Sequence, residues 1–363
     1  MNARSAPVSL SRAAAPLGLV LCLGIVAATT GPAFGQAVAA AAPPLTVIKR
    51  PLAEWMASRK HIAPDTLEQF TTSNKRTARF RALMEALADQ DWAEVDALSE
   101  QLSYKAAALR EQRTWFAIAY DRRGRDPTVI VNLKPRRELI VGAPHVPFER
   151  GTAEQAMILL RDVGARAAIV SGAHRCASQT FTTCDGQTAV CGSLQAYRDS
   201  DPGHNDKTLF HVAHVVLAER WPNAVVVSLH GMQDDNEGVR TSMIVSNGIK
   251  ANDDDKLTAA SKLRTSLRRA LKPVGTVVSC NVSADAKYDF RPLCGHTNVQ
   301  GRHVNGDADA CHGSVTQGTG RFVHLEQDRD VRDPYADDWQ NIDQYPFNNA
   351  LIAGLKKVAP RVP

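Results

Sequence analysis

Three apolar runs in this chain stop at residues able to bind a metal ion or carry a proton. ELIVGAP, residues 138–144, gives way to His145, with Glu149 four positions on; RAAIVSGA, residues 166–173, ends in His174 and Arg175; AVVVSL, residues 224–229, ends in His230. Two imidazoles and one carboxylate are a zinc-type ligand set that leaves a fourth position for water or substrate, whereas harder, oxygen-seeking ions suit two histidines less well. Taken singly, each residue has a plainer reading. A histidine after a strand commonly satisfies a local hydrogen bond, and an acid such as Glu149 favours a helix N-terminus. Their arrival together at strand ends makes His145, Glu149 and His230 the candidate Zn2+ ligands. Hydrolysis at such an ion also needs a carboxylate that is not a ligand. RFVHLEQD, residues 321–328, offers Glu326. As a strand it places Phe322, His324 and Glu326 on one face, although an edge residue would show the same alternation.

The remaining histidines carry weaker signals. His204 follows Asp201-Pro202-Gly203 in a turn that can reach the same edge, His211 and His214 lie three apart on a helix where structural or surface roles are the ordinary expectation, and His296, His303 and His312 fall in a loop region that could line a cleft.

The elements that must position these groups alternate. TVIVNL, ELIVGA, RAAIVS, NAVVVSL and GTVVSCNV read as strands, and TAEQAMILLRDV, NDKTLFHVAHVVLAER and DDKLTAASKLRTSLRRAL as helices. This pattern predicts an α/β domain over residues 128–360, with a mostly parallel or mixed sheet flanked by helices, whose ligands bind beyond the carboxyl ends of the strands. Residues 45–122 show helical spacing and are expected to form an N-terminal helical segment. DRRGRDP, residues 121–127, marks the boundary, and residues 281–320 read as a long loop region.

The chain has 363 residues, 44% hydrophobic and 22% charged, which suits a globular protein with a sizeable core. Residues 1–39 read as a secretory signal peptide, with Arg4 and Arg12 ahead of the apolar run APLGLVLCLGIVAA and small residues after it. That run is shorter than the ~20 residues of a spanning helix, so no stable membrane anchor is expected after its removal. The formal charge of +5 falls by two with that segment, too mild to suggest nucleic acid as a partner. Export, to the periplasm or the medium, makes the six remaining cysteines candidates for disulfides: Cys176, Cys184, Cys191, Cys280, Cys294 and Cys311. Their pairing stays open, since six cysteines allow fifteen connectivities.

The stretch APHVPFERGT, residues 143–152, resembles the metal motif of the zinc-dependent poly-γ-glutamate hydrolases, and SLHGM resembles their second-histidine strand. YRDSDPGHNDKTLFHVAHVVLAERWPNAVVVSLHG is similar to the region of N-formylglutamate amidohydrolases in which a Tyr and a His precede a long helix and a histidine-ended strand. The resemblance covers roughly residues 128–330 and implies the zinc-carboxypeptidase (phosphorylase/hydrolase-like) type of fold. It implies zinc on His145, Glu149 and His230, and Glu326 as the carboxylate that activates water. Arg175 becomes a candidate for binding a substrate carboxylate or steadying an oxyanion. The spacing H-x-x-x-E departs from both families, which place two residues (carboxypeptidases) or four (poly-γ-glutamate hydrolases) between these ligands. The expected activity is hydrolysis of an amide bond (peptide, γ-glutamyl or N-acyl) in a small-molecule or peptide substrate. The alternatives are a zinc-dependent esterase and a secreted binding module without turnover.

Overall fold

The structure, a computed structural model, describes residues 42–363 apart from 68, 234–240, 253, 255–256, 286–292 and 314. The expected signal peptide lies outside the described residues. Along the chain the strands are β1 Thr46–Ile48, β2 Tyr104–Glu111, β3 Thr114–Asp121, β4 Thr128–Asn132, β5 Leu139–Ala143, β6 Ala167–Val170, β7 Gln187–Thr188, β8 Gln195–Ala196, β9 Val225–Leu229, β10 Met243–Ser246, β11 Val277–Ser279 and β12 Phe322–Gln327. The helices are α1 Leu52–Ala57, α2 Asn74–Asp89, α3 Trp92–Leu102, α4 Thr152–Leu159, α5 Leu209–Arg220, α6 Ala259–Leu271, α7 Val299–Val304, α8 Arg329–Asp337 and α9 Pro346–Val358.

Ten of these strands form one mixed sheet in the order β1-β2-β3-β4-β6-β5-β9-β12-β10-β11. Its centre is parallel: β5 pairs with β6 and β9, and β9 with β12, all in the same direction. These strands are buried along their length; β5, β6 and β9 are the largely apolar runs expected where helices cover both faces, whereas β12 carries His324 and Glu326 into the interior. Alternation then sorts the side chains. Leu139, Val141, Val227, Val323 and Leu325 pack with α1, α4, α6 and α9 on one face. Ile140, Val226 and Phe322 pack with α2, α3 and α5 on the other. Side-chain caps start several helices, with Ser73 accepting from the Arg76 N–H, Thr208 from His211 and Thr258 from Ser261.

The α/β expectation matches this architecture. The expected helical segment 45–122 needs correction, because after α3 the chain turns back as the β2–β3 hairpin and β1 adds an edge strand. Ser103, at φ 62°, ends α3 in the left-handed region. Gln112 and Arg113, at φ 46° and 66°, supply the paired left-handed conformation of a two-residue hairpin turn. The Ala-rich run reads as helix locally, yet eight cross-strand pairs and pairing of β3 with β4 outweigh that preference. No boundary falls at residues 121–127 either, since β3 and β4 lie side by side across it.

All six cysteines among the described residues pair, as Cys176–Cys191, Cys184–Cys311 and Cys280–Cys294. The middle bridge ties the β6–α5 connection to the β11–β12 connection. Among the described residues no helix is long and apolar enough to cross a membrane.

Candidate metal centre

β5 ends at Ala143, and the chain closes one tight turn in which the Glu149 N–H donates to the His145 carbonyl, 2.8 Å away. That turn brings residues 145 and 149 to the same side, so the H-x-x-x-E spacing suffices for convergence: His145 Nδ1 lies 2.7 Å from Glu149 Oε1. β9 delivers His230, whose N–H donates to Leu325 of β12. Its Nδ1 lies 3.2 Å from His145 Nδ1 and 3.5 Å from Glu149 Oε2. All three side chains are buried.

A tetrahedral ion with bonds of 2.0–2.1 Å sets its ligand atoms roughly 3.3 Å apart. The two imidazole nitrogens, 3.2 Å apart, match that value, and Glu149 sets Oε1 2.7 Å from His145 Nδ1 and Oε2 3.5 Å from His230 Nδ1. Among the described residues Glu149 Oε2 is also buried with no hydrogen-bond partner, which a purely structural carboxylate would avoid. The donor set therefore fits a metal ion. Electrostatics favour an anion at Glu149 but a proton on His145, which a metal ion would have to displace. Burial and Arg175 push His145 down, yet the Glu149 and Asp201 carboxylates outweigh both and lift it to about 9. Burial would raise Glu149, but His145 and His230 hold it well below the usual carboxylate range. Burial pushes His230 down to about 4, keeping the ring neutral with one nitrogen lone pair available.

The far edge of His145 shows what the sequence reading missed. His145 Nε2 lies 2.9 Å from Asp201 Oδ1, and Arg175 Nε and Nη2 donate to Asp201 Oδ2 at 3.0 and 2.6 Å. Asp201 therefore fixes His145 with Nε2 as donor and Nδ1 as the lone pair turned to Glu149 and His230. The only sequence signal was an acid in the turn before His204. Arg175 accordingly needs revision as a two-pronged clamp for a substrate carboxylate, because two of its nitrogens are committed to Asp201. Its third, Nη1, faces the centre, 3.3 Å from His145 Nδ1 and 3.7 Å from Glu149 Oε1.

β12 brings Glu326 to the other side of His230. Its Oε1 lies 3.1 Å from His324 Nε2, and the His324 and His230 rings are 4.1 Å apart. Ligand atoms of His230, His324 and Glu326 all lie within 4.8 Å of one another. His204 joins the far edge of His145: one of its nitrogens lies within 4.8 Å of a His145 nitrogen and an Asp201 oxygen, its ring stacks on Tyr197 at 3.6 Å, and burial pushes it down to about 3. The other histidines do not join these clusters. His174 Nδ1 accepts from the Cys176 N–H, His211 and His214 are buried in α5, His303 of α7 packs edge-on against His211, and His312 is exposed between Asp309 and Thr183.

No family model matches the chain, and no curated protein matches it. Among solved structures, the crystal structure of a "putative carboxypeptidase" from Burkholderia mallei ATCC 23344 overlaps it at 10% identity, over 79% of this chain and 68% of that one, with a TM-score of 0.35. An overlap that loose bears on neither function nor ligand. Fold and side chains together define an α/β protein with buried His/Glu/Asp clusters of a kind that can bind a metal ion.

Proposed function

We propose that this protein is an exported zinc-dependent hydrolase that cleaves an amide bond. The observation that carries the reading is the meeting of His145 Nδ1, His230 Nδ1 and the buried Glu149 carboxylate at spacings of 2.7–3.5 Å. Zinc held there supplies Lewis-acid polarisation of a carbonyl and a more acidic water, the chemistry amide hydrolysis requires. The chain's own residues do the rest. Asp201 and Arg175 orient His145. Arg175 Nη1 faces the centre, where it can donate to an oxyanion. Glu326 Oε2, buried and without a partner among the described residues, is the oxygen that takes a proton from the attacking water and returns it to the leaving amine.

The test is Glu326→Gln, nearly isosteric but unable to accept the proton. A panel of N-acyl amino acids, γ-glutamyl amides and short peptides is offered to wild type with and without a chelator, and then to the variant. The expected outcome is chelator-sensitive hydrolysis that falls by about 10²–10⁴-fold in the variant while zinc content stays constant. Hydrolysis unchanged in the variant contradicts the assignment. A protein that binds zinc but turns over no member of the panel favours a binding module.

A further inference from the structure

His324 is buried one strand over from His230, and the metal-site reading leaves it without a task. Its surroundings are specific. On β12 it shares a face with Glu326, and its Nε2 stands 3.1 Å from Glu326 Oε1. Its ring lies against His230, centroids 4.1 Å apart. Gly295, at φ +68°, lies so close that a Cβ there would come within 2.6 Å of His324 Cγ and Nδ1. His324 Nδ1 and Glu326 Oε2 are both buried without hydrogen-bond partners among the described residues.

A carboxylate accepts, so the ring nitrogen facing it carries the hydrogen: His324 Nε2–H donates to Glu326 Oε1. This separates the two oxygens of one carboxylate. Oε1 is tied down and Oε2 is left free. A carboxylate otherwise turns readily about its last torsion, which is broad and two-fold, and would blur that distinction. A second metal site on His230, His324 and Glu326 fits poorly, because Ser228 Oγ lies 2.8 Å from His230 Nε2 and the other nitrogen, Nδ1, faces His145 and Glu149.

We infer that His324 is a positioning residue, which holds Glu326 by Oε1 so that Oε2 is presented as the proton-accepting oxygen. The inference rests on the metal-site reading, and acetohydroxamic acid tests the two separately. It binds zinc as its anion. Its O–H bond breaks, the electron pair stays on the hydroxamate oxygen, and the proton forms a new O–H bond at Glu326 Oε2. Affinity for this probe therefore reports a correctly held base without needing the natural substrate.

Calorimetry on zinc-loaded wild type, Glu326→Gln, His324→Leu and His324→Gln, with zinc content and melting temperature measured for each, gives the answer. The expected result is binding by wild type, clear weakening in Glu326→Gln, and a loss of roughly 10–100-fold in His324→Leu, the usual effect of removing an outer-sphere partner. His324→Gln should recover to within about threefold of wild type, because a Gln amide N–H can replace the Nε2–H. If wild type binds and Glu326→Gln weakens but His324→Leu matches wild type, the positioning role is overturned while the site reading stands. If His324→Gln is as weak as His324→Leu, or His324→Leu loses its zinc, the ring acts by packing on His230 and the inference is overturned. No binding by zinc-loaded wild type overturns the site reading and this inference with it.

Discussion

His145 turns its two nitrogens to different neighbours, Nδ1 to Glu149 and His230, and Nε2 to Asp201. Asp201 in turn is held by Arg175 and lies far below the usual carboxylate range: burial raises it, but Arg175 and His145 outweigh that. Asp201→Asn keeps an oxygen for His145 yet releases the ion pair with Arg175, so zinc affinity should fall by about 10–100-fold while the protein stays folded. A chelator competition titration reads this, and unchanged affinity would remove Asp201 from the account. At this scale a residue's type and its place after a strand sufficed to single out His145, His230 and Glu149 as side chains that the fold brings together. Asp201 was not legible, because its importance comes from a partner 56 residues away rather than from its own turn.

Among the elements, α5 is buried from Leu209 to Ala218, and it takes two histidines in with it. His211 and His214, which spacing alone suggested were ordinary structural or surface residues, are both pushed down to about 3 by burial. In the unfolded chain they titrate near 6.5, so between about pH 6.5 and 3 the unfolded state binds more protons than the folded one. Their contribution is complete above that window and is lost as pH falls, at roughly 1.4 kcal/mol per pH unit for each residue. Urea midpoints measured at pH 7.5 and 5.0 should drop for wild type and drop less for the His211→Gln/His214→Gln double variant. Equal drops would show that these two side chains do not hold α5 in the neutral form. The strands β5, β6 and β9 were legible because both faces are covered and the runs are continuously apolar. β10, only Met243–Ser246, was not read as a strand, and the β2–β3 hairpin was misread, because its alanines carry no period-two signal and its stability comes from strands β1 and β4 on either side.

At the scale of the molecule, one sheet delivers the ligands and two long connections frame them, the second held to the first by Cys184–Cys311. That bridge closes a loop of 127 residues, against 15 for Cys176–Cys191. The chain-entropy argument gives a larger stabilisation to the longer loop, typically about 2–4 kcal/mol. Serine replacement of the Cys184–Cys311 pair should therefore lower the unfolding free energy more than replacement of Cys176–Cys191, with urea titration as the check; the reverse order would point to strain or denatured-state structure instead. The central claim is that three side chains from the ends of β5 and β9 make one zinc centre. Its most direct test is elemental analysis of the dialysed protein after zinc loading, for wild type, His145→Ala and His230→Ala side by side. About one zinc per chain in wild type and little in either variant is the predicted result. Full occupancy in both variants, or none in wild type, would contradict it.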